Sequence, residues 1–303
     1  MPTEFKLNTG AVIPALGLGT WEDADIQEDA ESQEDAESQE DAVYHALKAG
    51  YHHIDTAQIY GAEAAVAKGI KKSGVPRERI FLTTKLWNNA HHPDDVEEAV
   101  DASLKDLDTD YVDLFLIHWP VAFARGDELF PMDGDKLKTA DVDYVETYKA
   151  LEKVFKKGKV KAIGISNFSK AEVERVLKER SSPSSTGKKG IHITHYSPLG
   201  NQNEIYGDEV GRVIEDPVLQ EIGKKHDKTS AQVALAWGIA RGHSVIPKSK
   251  ATERIPRNFR GGFKLDEDDL KKIDGIDKKL RFSDYSESFG YLGYSFFTDL
   301  DGK

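Results

Sequence analysis

The chain has 303 residues, 39% of them hydrophobic and 31% charged, and no cysteine. That length suits one α/β barrel of about 250 residues or two smaller domains, and the lack of cysteine excludes disulfides, thiolate zinc sites and a cysteine nucleophile. The net charge of −12 is local: eleven acidic residues and no Lys or Arg lie from Glu22 to Asp41, and elsewhere 42 acidic residues face 41 basic ones, so no broad basic face for nucleic acid is expected. No apolar run approaches the roughly 20 residues of a membrane span. "MPTEFKLNTG" has neither a basic nor an apolar leader region. The expectation is a soluble, cytoplasmic chain without a membrane partner.

In chain order, an N-terminal β-hairpin is expected first, and then apolar runs alternate with amphipathic segments. "ALGLGTW" precedes a helix ending "DAVYHALKAG", "HHIDTA" precedes "EAAVAKGIKKSG", and "RIFLTTKLW" precedes "PDDVEEAVDASLKDL". "YVDLFLIHWP" leads through a long loop to "VDYVETYKALEKVFKKG", and "VKAIGISNF" leads to "KAEVERVLKER". "IHITHYSPLG" and "HSVIPKS" precede the last two helices. Short runs with few charges read as strands buried on both faces, and their alternation with helices implies a parallel sheet. "GLGTWE" lacks the third glycine of a dinucleotide-binding turn. A closed barrel over residues 1–303 is therefore expected, with its chemistry at the C-terminal strand ends. Asp55, Lys85, His118, Ser166, Asn167 and Tyr196 all close a strand.

Two stretches break the rhythm. Gln27–Ala42, within the acidic stretch 22–42, is a hexapeptide repeat, "QEDAESQEDAESQEDA", whose only apolar residue is Ala. It cannot bury a face, so a solvated extension of the first helix, or disorder, is expected. Residues 180–190, "RSSPSSTGKKG", read as loop. The barrel strands around it number seven rather than eight.

The strand ends suggest chemistry. Asp55 and Lys85 can pair, and Tyr60 follows Asp55 closely enough to turn back over the barrel mouth. A phenol with a pKa of about 10 is a poor proton donor near neutrality unless a neighbouring ammonium favours its phenolate. His118 adds a second polar group, and Trp21, Trp87 and Trp119 suggest an apolar cup around a small reacting group. The pairs His52–His53 and His91–His92 do not read as metal ligands: neighbours on a strand point to opposite faces. "NNAHHPDD" reads as a surface turn. No metal is expected.

"HIDTAQIYG", "TTKLWN", "DLFLIHWP", "GISNFS", "YSPLG" and "VIPKS" with "RIPRNF" resemble, in order, the signatures of the aldo-keto reductases. "SPLGNQNEIYG" and "FFTDLDGK" resemble a fungal branch acting on glycerol, glyceraldehyde and small aldoses. The resemblance implies a (β/α)8 barrel, NADP(H) bound without a Rossmann domain, and a small-molecule carbonyl substrate. It implies Tyr60 as general acid, Lys85 and Asp55 as its tuners, and His118 as the group orienting the carbonyl. It also implies Gly19, Thr20 and Trp21 beside the cofactor, Ser166 and Asn167 on the carboxamide, and Tyr196 stacked on the nicotinamide. Ser197, Leu199 and Asn201 would line the pyrophosphate. Lys248, Ser249 and Arg254 would hold the 2′-phosphate, and Asn258 the adenine. Against the family's pattern, residues 180–190 stand where a sixth βα unit belongs, the acidic repeat is an insertion, Ala62 replaces an Asn, and Arg257 replaces an acidic adenine contact. The expected function is reduction of a small polar aldehyde or aldose, or the reverse oxidation of glycerol, by a monomer. The alternative is an impaired barrel remnant that serves as a nucleotide-binding or interaction protein.

Overall fold

The computed structural model describes residues 2–21, 33–134, 136–181, 190–200, 212–260 and 262–276. The chain forms two compact units, one of Met1–Asp55, Ala65–Phe81 and Gly190–Ser283, the other of Thr56–Ala64, Leu82–Lys189 and Asp284–Lys303.

The first unit opens with the expected hairpin. β1 (Glu4–Lys6) runs antiparallel to β2 (Val12–Pro14), with Phe5 opposite Ile13. Its turn needs Gly10, at φ 90°. Next come β3 (Leu18–Gly19), α1 (Gln33–Ala49) and β4 (His53–Asp55). β3 lies parallel to β4, Leu18 facing Ile54 and Gly19 facing Asp55. Two later strands, β10 (Thr194–Tyr196) and β11 (Ser244–Ile246), also pair in parallel. Bridges from Leu16 to Val245 and from Gly19 to Lys248 join β11 to β3. Gly19 permits that approach: a Cβ there would lie 2.9 Å from the Ile246 carbonyl oxygen.

α1 overturns one expectation. Ten residues of the repeat are helical, and from Gln39 the helix does bury a face. Gln39, Ala42, Val43, Ala46 and Leu47 are all buried. Their spacing is one stripe of a 3.6-residue helix. Gln39 belongs to the stripe because its Nε2 donates to the Thr20 carbonyl at 2.8 Å, which offsets the desolvation of its amide. The stretch from 22 to 32 lies outside the described residues.

Helices α6 (Pro217–His226), α7 (Ser230–Ala240) and α9 (Glu267–Asp274) share a core of Leu219, Ile222, Val233, Ala236 and Ile273. Each begins on a side-chain cap: Asp216, Thr229 with Gln232, and Asp266 with Asp269. α8 (Arg254–Phe259) is fastened to β4's approach, since the Tyr51 hydroxyl donates to the Ile255 carbonyl at 3.1 Å.

The chain crosses between units within α2 (Glu63–Ser73) and within β5 (Phe81–Leu86). In the second unit β5, β6 (Leu114–Ile117) and β9 (Ile163–Ile165) are parallel neighbours, Lys85 facing Leu116 and Ile117 facing Ile165. α3 (Val96–Asp106), α4 (Tyr144–Lys156) and α5 (Lys170–Glu179) complete the βα alternation. The long loop after β6 carries a small hairpin of β7 (Met132–Asp133) and β8 (Lys136–Leu137).

All seven expected parallel strands are present among the described residues. Burial on both faces holds for β4, β5 and β11 but not for β9 or β10. Ile191, Ile193 and Tyr196, in and before β10, are 49%, 47% and 46% exposed. Apolar sequence makes a strand suitable for burial; the elements stacked on its faces decide whether it is buried. Of the loop at 180–190, positions 182–189 lie outside the described residues. No helix among the described residues is long and apolar enough to cross a membrane.

Candidate active site

In the second unit, β5 sets the geometry. All six of its residues are buried, and alternation sends Thr84 and Lys85 to opposite faces. On one face the Thr84 hydroxyl donates to Glu63 Oε1 at 2.6 Å. On the other, Lys85 Nζ donates to the Thr56 carbonyl at 2.8 Å and to the Tyr60 hydroxyl at 3.2 Å. Nζ also lies 4.8 Å from the centre of the Tyr60 ring. Tyr60 ends a 3-10 turn, Gln58–Tyr60, closed by Gly61 at φ 62°. An ammonium donating to a phenol oxygen stabilises negative charge there, as a departing proton requires.

His118 follows β6 and is 7% exposed. Burial, then the charges of Lys85 and His91, hold its pKa well below the ordinary value, so the imidazole is neutral. Its ring stands edge-on to Tyr60 at 5.6 Å and to Trp87 at 5.4 Å. A neutral imidazole can orient a carbonyl through one N–H but is a poor acid; the phenol beside an ammonium is the better proton donor. Trp87 and Trp119 are buried with Val121 and Phe123, and the Trp87 indole donates to the Leu129 carbonyl at 2.7 Å. They form a fixed wall. Asn167, at φ 63°, donates through Nδ2 to the His118 carbonyl at 2.9 Å. Ser166 caps β9, its N–H donating to the Ile117 carbonyl at 2.8 Å.

In the first unit, Asp55 ends β4 and is buried. Its carbonyl accepts from Thr20 N at 3.0 Å and from the Thr20 hydroxyl at 3.1 Å. Gly19 donates to the Pro247 carbonyl at 3.1 Å and bridges to Lys248, at the start of the Lys248–Ser249 segment. Tyr196 ends β10 with its ring half exposed, and Ser197 follows at φ 46°. Asn167 and Ser197 share left-handed backbone with Asp108 and Asp227 among the described residues. Leu199 packs on the α6–α7 core. Asn201 lies outside the described residues. Lys248 and Arg254 are exposed, while Ser249 and Asn258 are buried. Arg254 and Asn258 are one turn apart on α8 and so share a face. A cavity of about 690 Å³ opens beside that helix, lined by Lys224, Lys228, Arg257 and Arg260.

Three residues escaped the sequence reading. Glu63, three positions after Tyr60, is buried, and desolvation raises its pKa. Asn88 and His91 belong to the segment expected to be a surface turn, yet they are 0% and 1% exposed. Their three-residue spacing on a 3-10 turn was the available signal. His226, Asp266 and Asp269 could hold a cation by spacing. Lys225 already donates to both carboxylates, at 2.5 and 2.8 Å, so the group reads as the cap of α9.

The model of the Aldo/keto reductase family matches residues 15–206 and 186–278, two stretches that overlap at 186–206. An uncharacterized oxidoreductase of Schizosaccharomyces pombe is 42% identical over 92% of this chain and 90% of its own length. Aldo-keto reductase family 1 member A1 of Xenopus tropicalis is 41% identical, over 91% of this chain and 89% of its own. The protein of that name from Rattus norvegicus is 37% identical over 91% and 90%.

Proposed function

The chain is an oxidoreductase of the aldo/keto reductase family, and from that premise we propose that it uses NADP(H) to interconvert a small polar aldehyde or aldose with its alcohol. The observation that carries the chemistry is the 3.2 Å contact of Lys85 Nζ with the Tyr60 hydroxyl, beside the neutral ring of His118. When bound, the nicotinamide supplies a hydride to the carbonyl carbon. Tyr60 gives its proton to the carbonyl oxygen, and the Lys85 ammonium stabilises the phenolate that remains. His118 orients that oxygen through its N–H, and by the family resemblance Asp55 would support the charge of Lys85. Trp87 and Trp119 are apolar walls that exclude water, and Trp21 would be a third. The reverse reaction, with Tyr60 as base, would oxidise glycerol.

The cofactor's parts have candidate partners of fitting chemistry. Two exposed cations, Lys248 and Arg254, with the Ser249 hydroxyl suit the dianionic 2′-phosphate, which favours NADP over NAD. Asn258 serves the adenine. Ser197 and Leu199 would line the pyrophosphate with Gly19 and Thr20 alongside, and the resemblance assigns Asn201 to the same group. Ser166, Asn167 and the half-exposed Tyr196 ring serve the nicotinamide. The protein acts as a cytoplasmic monomer on a small-molecule substrate, without nucleic acid, membrane or metal.

We read residues 180–190 as replacing the family's sixth βα unit, and the acidic repeat as an insertion. The family match in two stretches that overlap at 186–206, and the half-exposed β9 and β10, support that reading of the loop. The same exposure favours a second reading, a barrel that binds nucleotide but turns over weakly or not at all. Purified chain with DL-glyceraldehyde should oxidise NADPH faster than NADH. No oxidation of either, with NADPH still quenching tryptophan fluorescence, would favour the second reading.

A further inference from the structure

Behind the candidate active site, the segment from Trp87 to His91 gathers buried polar atoms that the described residues do not satisfy. Both side-chain heteroatoms of Asn88, both ring nitrogens of His91 and Nδ1 of His118 are enclosed and have no hydrogen-bond partner among the described residues. Asn88, His91 and His118 are 0%, 1% and 7% exposed. An unsatisfied buried group costs about 1–3 kcal/mol, and native proteins leave few of them. Five such atoms on three enclosed residues, His118 beside the strand end that leads into Asn88 and His91, are therefore a signal.

The backbone of this segment is well fastened. The Asn88 carbonyl accepts from Phe123 N at 2.8 Å, and the His91 carbonyl accepts from the buried Thr147 hydroxyl at 2.7 Å. The side chains are thus held in place while their own polar atoms stay unmatched. A 3-10 turn, Asn88–Ala90, puts positions 88 and 91 on one face. The Trp87 ring lies 5.4 Å from the His118 ring, and the backbone N–H of His118 donates to the Leu86 carbonyl at 3.2 Å.

We propose that Asn88 and His91 form an internal hydration site, in which bound water joins them to Nδ1 of His118 and fixes the His118 proton on Nε2. The donor count suits water. Neutral His91 offers one N–H and one acceptor nitrogen, and Asn88 offers an NH₂ and a carbonyl. A buried water makes two to four hydrogen bonds and needs a polar, enclosed site. Water donating to Nδ1 leaves Nε2 as the N–H that can face a carbonyl oxygen. His91 and Asn88 are then positioning residues, acting on the substrate only through His118. The hydration site stands on geometry alone; its role in setting the His118 N–H rests on the function proposed above.

A high-resolution crystal structure of the full chain should show water within hydrogen-bonding distance of His91, Asn88 and His118 Nδ1. A dry site, or side chains repacked to satisfy one another, would overturn the proposal. Imidazole ¹⁵N spectra should show His118 as the Nε2–H tautomer. In His91→Phe the tautomer ratio should move toward Nδ1–H by up to about tenfold, the worth of one net hydrogen bond. An unchanged ratio in a folded variant would overturn the link to His118. Neither readout needs turnover, so a chain that reduces no carbonyl would remove the proposed function and leave the hydration site standing.

Discussion

β5 and β10 both end in residues assigned to the candidate site, and they differ in how they hold them. Every residue of β5 is buried, and two of its three polar side chains are seen to donate, Thr84 to Glu63 and Lys85 to Tyr60. β10 is half buried, and Tyr196 at its end is 46% exposed. Its inner contacts are histidines: His195 Nε2 lies 2.9 Å from His243 Nδ1, and just before the strand His192 lies 2.9 Å from Ser244 Oγ. Groups that move protons need positions fixed to a fraction of an ångström, and a packed strand provides that. A platform for a flat ring tolerates more freedom. Chemistry and cofactor binding should therefore fail separately.

The sharpest break in that comparison is Lys85→Met. It should lower kcat by about 10²–10⁴-fold, the usual worth of assisted proton transfer, while NADPH affinity measured by tryptophan quenching stays unchanged. A parallel loss of affinity would mean that β5 also holds the cofactor. Arg254→Ala tests the binding side. NADPH affinity should fall about 10- to 100-fold, the size of a charge-assisted hydrogen bond, with NADH affinity unaffected. Equal losses for both nucleotides would remove the 2′-phosphate assignment.

Smaller effects probe the packing behind the strand. Thr84→Val removes the hydroxyl that donates to the buried Glu63 carboxyl and should cost about 1–3 kcal/mol in urea unfolding. A neutral outcome would show that Glu63 finds another partner there. Acid should weaken the fold through the buried histidines. Burial pushes the His91 pKa down from 6.5 to about 3, so the unfolded chain binds this proton first. Stability is then full above about pH 6.5 and is lost progressively as pH falls toward 3. His91→Phe should give a shallower acid limb in thermal melts taken across that range. An unaltered limb would place the acid sensitivity elsewhere.

The strands were legible in the sequence because each is a short apolar run punctuated by glycine, proline or polar turns. The site around Tyr60, Lys85 and His118 was legible through ordered motifs, and the second unit brings those three side chains together. What could not be read was burial decided by partners. Gln39 looks like one more solvated glutamine of a repeat until the Thr20 carbonyl is known to meet it. Asn88 and His91 sit in the most polar of segments and are enclosed because the loop after β6 and α4 fasten their carbonyls. β9 and β10 erred the other way, apolar enough for an interior and left half exposed.

The proposed chemistry rests on the Tyr60 hydroxyl as the proton donor, and one experiment addresses it directly. Tyr60→Phe, loaded with NADPH and mixed with aldehyde in a single turnover, should bind nucleotide as the parent does and consume it at a rate lower by about 10²–10⁴-fold. Retention of the parent rate would contradict the assignment and leave His118, despite its neutrality, as the group to examine.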